Sequence, residues 1–325
     1  MKAFLCHNYG SPDVLKYEEI AIPACGDNEV LVKIRAASVN PVDLHLIAGK
    51  PFFLRLMLGG LLKPKSTNLV IDLAGQVEAV GREVTQFKPG DEVFGAGKGA
   101  FAEYVCAAEN DLALKPANIS FEQAASVPVA AITALQGLRD RGRIQPGQKV
   151  LVDGASGGVG TFAIQIAKSF GAEVTAVCSP RNVETARSIG ADQVIDYTRE
   201  NFSHSGRLYN LIFAANAYRS IFDYRRALNQ HGICVFAGGG GFQILQAMSL
   251  GPLLSPIGAK KMRFFVAKIN KTDLLSLQGL LEAGKVVPVI DRRYPLSAVP
   301  EALRYLAAGH AQGKIVITAE PSSHA

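Results

Sequence analysis

The spacing of apolar and polar positions changes along the chain. In the first hundred residues, short β-type runs at 30–34, 75–80 and 92–94 are separated by Gly, Pro and Asn turns. From Phe121 onward, apolar residues recur at helical spacing, first across 122–138 and then in alternation with β-branched strands. The pattern predicts a mainly β domain followed by βαβ units with a parallel sheet, an α/β fold.

The second region contains enough strands for a doubly wound nucleotide-binding domain. The predicted strands are 149–153, 173–178, 193–196, 210–214 and 232–237, with helices between most of them. A strand at 263–267 follows a Gly- and Pro-rich stretch.

The last part of the chain predicts a return to the first domain. A helix at 273–283 should be capped by Thr272 and ended by Gly284, and residues 286–318 again look like β-domain material, with a helix at 299–308 and a strand at 314–318. We therefore expect one discontinuous domain, 1–122 with 270–325, and a dinucleotide-binding domain at 123–269.

Composition and charge narrow the possible functions. The chain has 325 residues and a formal net charge of +6, but no long Lys/Arg block, so a dedicated nucleic-acid surface is not expected. The five cysteines are far apart and form no C-x-x-C pair, so we expect reduced thiols rather than a disulfide framework or a clustered metal site. No secretory signal is recognised at the N-terminus, and a cytoplasmic location is expected.

One apolar segment, PFFLRLMLGGLL at 51–62, is too short to cross a membrane. Lys50, Lys63 and Lys65 flank it. It can form a lid over an apolar substrate pocket, which we favour, or lie on an anionic membrane surface, and both alternatives stay open.

A dinucleotide-binding loop follows the strand at 149–153. The sequence GASGGVG at 154–160 leads into an apolar-periodic helix, which is the strand, glycine turn and helix order that a pyrophosphate site requires. The residues expected to contact the cofactor here are Ser156, Gly157, Gly158 and Val159. Gly160 should allow the helix to pack closely on the strand.

The end of the next strand predicts which cofactor binds. An NAD-dependent protein would carry Asp or Glu there, whereas this chain has Ser179, Arg181 and Asn182. Arginine can form a forked pair with a 2′-phosphate, and a serine hydroxyl can donate to it, so NADPH is expected. Tyr197, at the end of the following strand, is a further expected contact.

Several motifs in one order resemble those of a known family. They are AASVNPVDLHLIAG at 36–49, DLAGQVEAVGREVTQFKPGDEVFG at 72–95, GAFAEYV at 99–105, VPVAAITALQGL at 127–138, GASGGVG, and GKIVI at 313–317. The chain resembles zinc-independent medium-chain dehydrogenase/reductases of the quinone oxidoreductase and enone reductase type. The resemblance implies a GroES-like catalytic domain, a Rossmann domain and a homodimer, in which the edge strand RFFVA can pair.

The resemblance also assigns site residues. Zinc-using relatives carry a cysteine where this chain has Asn40 and a histidine where it has Ile71, so no metal is expected. Asn40 is the candidate for stabilising a developing enolate oxygen and for facing the nicotinamide. Thr133 matches a position near the nicotinamide ribose, and Gly238 and Gly239 should let the backbone pass close to the nicotinamide.

These observations favour an NADPH-dependent, zinc-free reductase of quinones or α,β-unsaturated carbonyls with a small apolar substrate. Two alternatives stay open. One is reduction of enoyl thioesters, which would need a deeper groove. The other is a non-catalytic NADPH-binding protein with a structural or sensor role.

Overall fold

The computed structural model describes residues 1–50, 55, 60–64, 72–99, 101–254 and 259–319. Most of the apolar segment 51–62, and Ile71, therefore lie outside the described residues. Two compact units are present: 1–129 with 269–282 and 290–325, and 130–268 with 283–289. No helix in the described part of the chain is long and apolar enough to cross a membrane.

The first unit is built on β-strands. The strands are β1 Lys2–Cys6, β2 Leu15–Glu19, β3 Glu29–Val39, β4 Asp72–Val80, β5 Glu92–Ala96, β6 Tyr104–Ala108, β7 Leu112–Leu114, β14 Ile290–Pro295 and β15 Lys314–Thr318. Among the described residues, the main sheet has the order β14-β15-β3-β4-β5-β7, with β6 pairing β3, and β1 and β2 form a separate two-stranded sheet. All of these pairs are antiparallel except β14 with β15.

Helices complete the first unit. They are α1 Pro41–Ala48, α2 Phe121–Ala125, α8 Lys271–Glu282 and α9 Val299–Ala307. The core of this unit joins alternate residues of β3, such as Val30, Val32 and Ile34, to Leu303 of α9. Because β14 and β15 belong to this sheet, the chain returns to the first unit after the second.

The second unit is a doubly wound parallel sheet. The strands are β8 Lys149–Asp153, β9 Glu173–Cys178, β10 Gln193–Asp196, β11 Tyr209–Ala214, β12 Leu228–Phe236 and β13 Lys261–Phe264. Within the described residues the strand order is β10-β9-β8-β11-β12-β13, and every pair is parallel. In order of appearance this is 3-2-1-4-5-6, the Rossmann order. The predicted fold class is confirmed.

Helices connect these strands. They are α3 Pro128–Gln136, α4 Gly158–Ser169, α5 Val183–Ser188, α6 Ile221–Ala227 and α7 Gly241–Leu254, and a π-helical turn spans Gly137–Arg141. One core cluster joins Ile212 of β11 and Phe236 of β12 to Tyr224 of α6 and Ala247 of α7. The carboxyl ends of the parallel strands share one edge, where a doubly wound sheet binds its ligand.

Two helix predictions are wrong in detail. The expected single helix at 122–138 is divided after Ala125, because Pro128 disfavours helical geometry at the residue before it and begins a new helix. Thr272 does not cap α8, which begins earlier, because the Asn270 side chain accepts the backbone N–H of Asp273 at 2.9 Å.

The expectation of five reduced thiols is also wrong. Cys25 and Cys106 form a disulfide with their Cα atoms 5.5 Å apart. The two cysteines are 81 positions apart in the sequence, so spacing does not reveal the pair. Cys6, Cys178 and Cys234 are free and buried.

Candidate functional site

Three strand ends in the first unit bring together Asn40, Asp72 and Lys314. Ile315 pairs with Val39 across β15 and β3, so Lys314 stands opposite Asn40 in the antiparallel register. Ala37 pairs with Leu73 across β3 and β4, which places Asp72 beside Ser38. Strand pairing alone therefore assembles a polar cluster from distant parts of the chain.

Asp72 is the centre of this cluster. Its Oδ2 accepts hydrogen bonds from the Ser38 hydroxyl at 2.8 Å, the Asn40 amide at 2.8 Å and the Lys314 ammonium at 3.1 Å. Its Oδ1 accepts the backbone N–H of Val129 at 2.8 Å. Asp72 is fully buried and Lys314 is only 3% exposed, so this is a buried ion pair supported by further hydrogen bonds.

The carboxamide of Asn40 is held at both ends. Its Oδ1 accepts a hydrogen bond from Lys314 Nζ at 2.7 Å, and its Nδ2 donates to Asp72 Oδ2. The remaining contact of Nδ2 with a described residue is a long one, 3.5 Å to the carbonyl oxygen of Ser38. A ligand oxygen can therefore accept only the second N–H of Asn40, because the rest of the amide is already used.

Asp43 lies beside this cluster and holds the start of α1. Its Oδ2 accepts the backbone N–H of Asn40 at 2.7 Å, whereas its buried Oδ1 has no hydrogen-bond partner among the described residues. The pKa of Asp43 is raised to about 7. Burial is the largest cause and the negative charge of Asp72 adds to it, whereas the hydrogen bond from the Asn40 backbone and the positive charge of Lys314 act in the opposite direction. Asp43 can therefore carry a proton near neutral pH.

The glycine loop of the second unit lies at the carboxyl end of β8. A Cβ on Gly160 would lie 2.1 Å from the carbonyl oxygen of Gly154, so only glycine allows α4 to pack against the loop. A Cβ on Gly157 would meet only that same oxygen, at 3.6 Å, an ordinary contact. The half-buried Gly158 and Val159 begin α4, where backbone N–H groups lack intrahelical acceptors and favour an anion.

Ser179, Arg181 and Asn182 follow β9 at the same edge. Asn182 is buried, and its Nδ2 donates to Ser179 Oγ at 2.9 Å, which leaves the hydroxyl proton of Ser179 available for donation. The buried Oδ1 of Asn182 has no hydrogen-bond partner among the described residues. Arg181 is exposed. Asn182 therefore orients Ser179, whereas Arg181 is accessible to a ligand.

The remaining predicted residues of this unit differ in their surroundings. The ring of Tyr197 is 42% exposed and packs edge-on against Tyr218, with centroids 5.8 Å apart. Thr133 is half-buried in α3. A Cβ on Gly238 would lie 2.5 Å from the Ala215 carbonyl oxygen, and one on Gly239 would lie 2.3 Å from that of Ala217. Any larger residue at these two positions would clash with the backbone of the neighbouring segment, so the fold itself requires both glycines.

A buried acid precedes the glycine loop. Asp153 ends β8, is fully buried, and accepts the Tyr224 hydroxyl at 2.5 Å through Oδ2. Burial raises its pKa to about 6, although the Tyr224 bond and the Arg219 charge act in the opposite direction. Its Oδ1 has no partner among the described residues. Folding therefore shifts the loss of the Asp153 proton to a higher pH than in the unfolded chain.

Asp153→Asn should change how stability depends on pH. Because the folded-state pKa lies above the ordinary value, stability from this group is fully present below about pH 4 and is lost as the pH rises through about 6. The wild-type free energy of unfolding should fall relative to the variant by about 1 to 2 kcal/mol between about pH 5 and pH 8. Urea denaturation across this range measures it, and parallel pH profiles for the two proteins would contradict it.

Comparison with known proteins identifies the family. Residues 26–117 match the alcohol dehydrogenase GroES-like domain, and residues 189–317 match a family described as zinc-binding dehydrogenase. The chain is 38% identical to the 2-methylene-furan-3-one reductase of Solanum lycopersicum, over 98% of this chain and 79% of the relative. The chain belongs to the quinone oxidoreductase-like, zinc-independent medium-chain dehydrogenase/reductases.

Other members of this family are similar over the same length. The chloroplastic NADPH-dependent alkenal/one oxidoreductase of Arabidopsis thaliana is 36% identical over 98% of this chain and 79% of its own. The solved structure of the quinone oxidoreductase from Coxiella burnetii superposes with a TM-score of 0.85 at 28% identity, covering 98% of this chain and 99% of that one. This medium-chain dehydrogenase/reductase therefore carries both family domains.

The side chains at Asn40 and Asp72 do not suit the catalytic zinc of zinc-using family members. Zinc takes thiolate, imidazole or carboxylate ligands, and Asp72 is the one such donor in the cluster of Asn40, Asp72 and Lys314. The ammonium of Lys314 already contacts Asn40 and Asp72, and its positive charge would repel a divalent cation. This member of the family places a lysine, rather than metal ligands, against Asn40.

Sequence reasoning missed the role of Lys314. The motif GKIVI contains this lysine, but a lysine at the start of a strand ordinarily projects into solvent. The pairing of β15 with β3 could have revealed it. In the antiparallel register Lys314 lies opposite Asn40, next to the buried acid Asp72.

Proposed function

We propose that this protein is an NADPH-dependent reductase that transfers hydride to quinones or α,β-unsaturated carbonyls. The observation that carries the proposal is the end of β9, where Ser179 and Arg181 stand in place of the acid that an NAD-dependent protein would use. Its relatives include one named as an NADPH-dependent alkenal/one oxidoreductase and one named as a quinone oxidoreductase, which supports the same activity.

The residues of the second unit suit a phosphorylated dinucleotide. Backbone N–H groups of Gly158 and Val159 can bind the pyrophosphate at the positive end of α4, beside Ser156 and Gly157. Ser179 and Arg181 can bind the 2′-phosphate, with Asn182 orienting the serine and Tyr197 bordering the site. We further propose that Thr133, Gly238 and Gly239 contact the nicotinamide half.

Asn40 is the proposed catalytic residue of the first unit. The bound nicotinamide would supply the hydride, and charge would then develop on the carbonyl oxygen of the substrate. The second N–H of Asn40 can donate to that oxygen, while Lys314 and Asp72 fix the orientation of the amide. Lys314 is therefore a positioning residue, because it acts through Asn40.

Arg181→Ala should weaken NADPH binding by roughly 1.5 to 3 kcal/mol, the scale of a hydrogen bond to a charged group, with far less effect on NADH. Arg187→Ala is a matched control, because Arg187 is an exposed arginine of α5 that pairs with Glu184. Dissociation constants for both cofactors measure the difference. Equal losses for NADPH and NADH would remove Arg181 from its proposed role.

The position of hydride transfer tests the proposed reaction. NADPH carrying deuterium at the transferred position, incubated with an alkyl vinyl ketone, should yield a saturated ketone labelled at the β-carbon, as mass spectrometry can show. Label on the carbonyl carbon, giving an alcohol, would show a carbonyl reductase and contradict the proposal.

Assembly and location are part of the proposal. The strand β13 ends the strand order of the second sheet among the described residues, and we propose that this side of the sheet faces a second copy in a homodimer. We also propose a cytoplasmic location, where reducing conditions would act on the Cys25–Cys106 disulfide.

A further inference from the structure

A second group of potential ligand atoms lies in the first unit. Cys25, Glu29 and Cys106 place two sulfur atoms and one carboxylate oxygen within 4.8 Å of one another, all three side chains being half-buried. Among the described residues, these three side chains form the group of possible metal ligands that lie close enough together to hold one ion. The cluster formed by Asn40, Asp72 and Lys314 contains none of these three residues.

Local structure brings the three residues together. Cys106 pairs with Leu31 across β6 and β3, and Glu29 lies two positions earlier on β3, on the same side of the sheet as Leu31. The loop before β3 turns back, because Gly26 N–H donates to Glu29 Oε2 at 2.9 Å and Glu29 N–H donates to the Gly26 carbonyl at 3.1 Å. This turn orients the Glu29 carboxylate and brings Cys25 to Cys106.

The donor set suits zinc. Two thiolates and a carboxylate are zinc ligands, with bonds of about 2.3 Å to sulfur and about 2.1 Å to oxygen. Tetrahedral geometry then requires the two sulfur atoms to be about 3.8 Å apart. The Cα atoms of Cys25 and Cys106 are 5.5 Å apart, so rotation of the two side chains can provide this separation once the disulfide is broken. Three protein ligands leave the fourth position to water.

We propose that the reduced protein binds one zinc ion through Cys25, Glu29 and Cys106, and that the disulfide is the metal-free, oxidised form of the same site. A dithiol reductant donates two electrons, so that the Cys25–Cys106 bond is cleaved to two thiols while the reductant becomes a disulfide. Zinc then displaces the two thiol protons, and both are released to solvent. The disulfide form offers no thiolate, so the two states exclude each other.

The site is independent of the proposed reductase reaction. Its ligands come from the turn before β3, the start of β3 and β6, whereas the proposed catalytic amide follows β3 at its opposite end. Zinc should therefore connect the turn and β6 in a reducing environment, as the disulfide does in an oxidising one. Turnover should not require it.

Zinc stoichiometry after reduction tests the proposal. Metal-free protein is reduced with a phosphine under argon, mixed with zinc chloride, desalted, and assayed for zinc by mass spectrometry. We expect about one zinc per chain for the reduced protein and none for the oxidised protein. Glu29→Gln, which retains both cysteines, should weaken binding more than about tenfold, since loss even of an outer-shell partner has that effect.

A matched control uses a cysteine outside the cluster. Cys6→Ser should retain the zinc, because Cys6 is buried elsewhere and its Sγ–H bond to the Asn8 carbonyl can be kept by serine. With cobalt in place of zinc, a sulfur-to-metal charge-transfer band should appear in the reduced protein and disappear in Cys106→Ser. Absence of zinc from the reduced wild type would show that the Cys25–Cys106 disulfide is only structural. Zinc binding by the oxidised protein, or by Cys106→Ser, equal to that of the reduced wild type would show that the metal binds elsewhere. Either result overturns the proposal.

Discussion

Lys314→Met should lower the free energy of unfolding by about 3 to 5 kcal/mol, the range observed when one partner of a buried ion pair is removed. The substitution keeps most of the side-chain volume but leaves the Asp72 carboxylate buried without its counter-charge. It also removes the hydrogen bond that Asn40 Oδ1 accepts, so the amide loses one of its two fixed ends. Urea denaturation measures the change in stability. The kcat and KM of the variant, each compared with the wild-type value, measure the effect on Asn40.

A surface lysine provides the control. Lys168 pairs with Asp192, and both side chains are about a third or more exposed, so Lys168→Met should cost at most about 1 kcal/mol. The double variant Lys314→Met with Asp72→Asn should recover part of the loss, because the buried charge is then gone. If Lys314→Met costs no more than Lys168→Met, the buried pair does not hold this site together.

Gly160→Ala should reduce stability, whereas Gly157→Ala should reduce NADPH binding. The methyl group that Gly160→Ala adds would be far inside contact distance of the Gly154 carbonyl, so the helix and loop must separate, at a cost of about 1 to 3 kcal/mol or more in stability. Gly157→Ala meets only an ordinary contact in the protein and should keep wild-type stability. It should still weaken NADPH binding, because the added methyl group would occupy the face that we propose for the pyrophosphate.

Thermal unfolding and fluorescence titration with NADPH separate the two effects. We expect the Gly160 variant to lose stability. We expect the Gly157 variant to retain stability and to lose NADPH affinity. Full NADPH affinity in Gly157→Ala would mean that the pyrophosphate does not approach this backbone.

The sequence was most informative where a local pattern determines the structure. The strand–glycine loop–helix order at 149–169 is contiguous, so β8, the loop and α4 could all be predicted. The same holds for β9 and β10, and for the positions that follow them, Ser179 and Tyr197, because parallel strands in a doubly wound sheet end at one edge.

Contacts between distant segments were harder to predict. Lys314 and Asp72 are 242 positions apart, and Cys25 and Cys106 are 81 apart, so neither pair leaves a spacing pattern. Strand register brings Lys314 to Asp72, and register together with the turn before β3 brings Cys25 to Cys106. Register depends on the pairing of whole strands. The break between the two helices before Pro128 has a local cause, the proline itself. The apolar periodicity continues through the segment and so predicts one helix instead of two.

If Asn40 is the catalytic residue that we propose, the buried polar cluster would replace the catalytic zinc of other family members. A metal ion would polarise the substrate oxygen directly. In the proposed mechanism the amide of Asn40 would take that place, with the positive charge of Lys314 on its Oδ1 side. Activated acceptors such as quinones and enones need less polarisation than a simple alcohol or ketone, which fits the proposed substrates.

The measurement that tests this account most directly is the initial rate of NADPH and NADH oxidation by chelator-treated protein. The acceptors are 1,4-benzoquinone, 9,10-phenanthrenequinone and an alkyl vinyl ketone. We expect turnover that survives chelation and favours NADPH in kcat/KM by about tenfold or more, matching the free energy assigned to Arg181. Activity that is lost on chelation and restored by zinc, equal use of NADH, or tight NADPH binding without turnover would contradict the zinc-free, NADPH-dependent reductase.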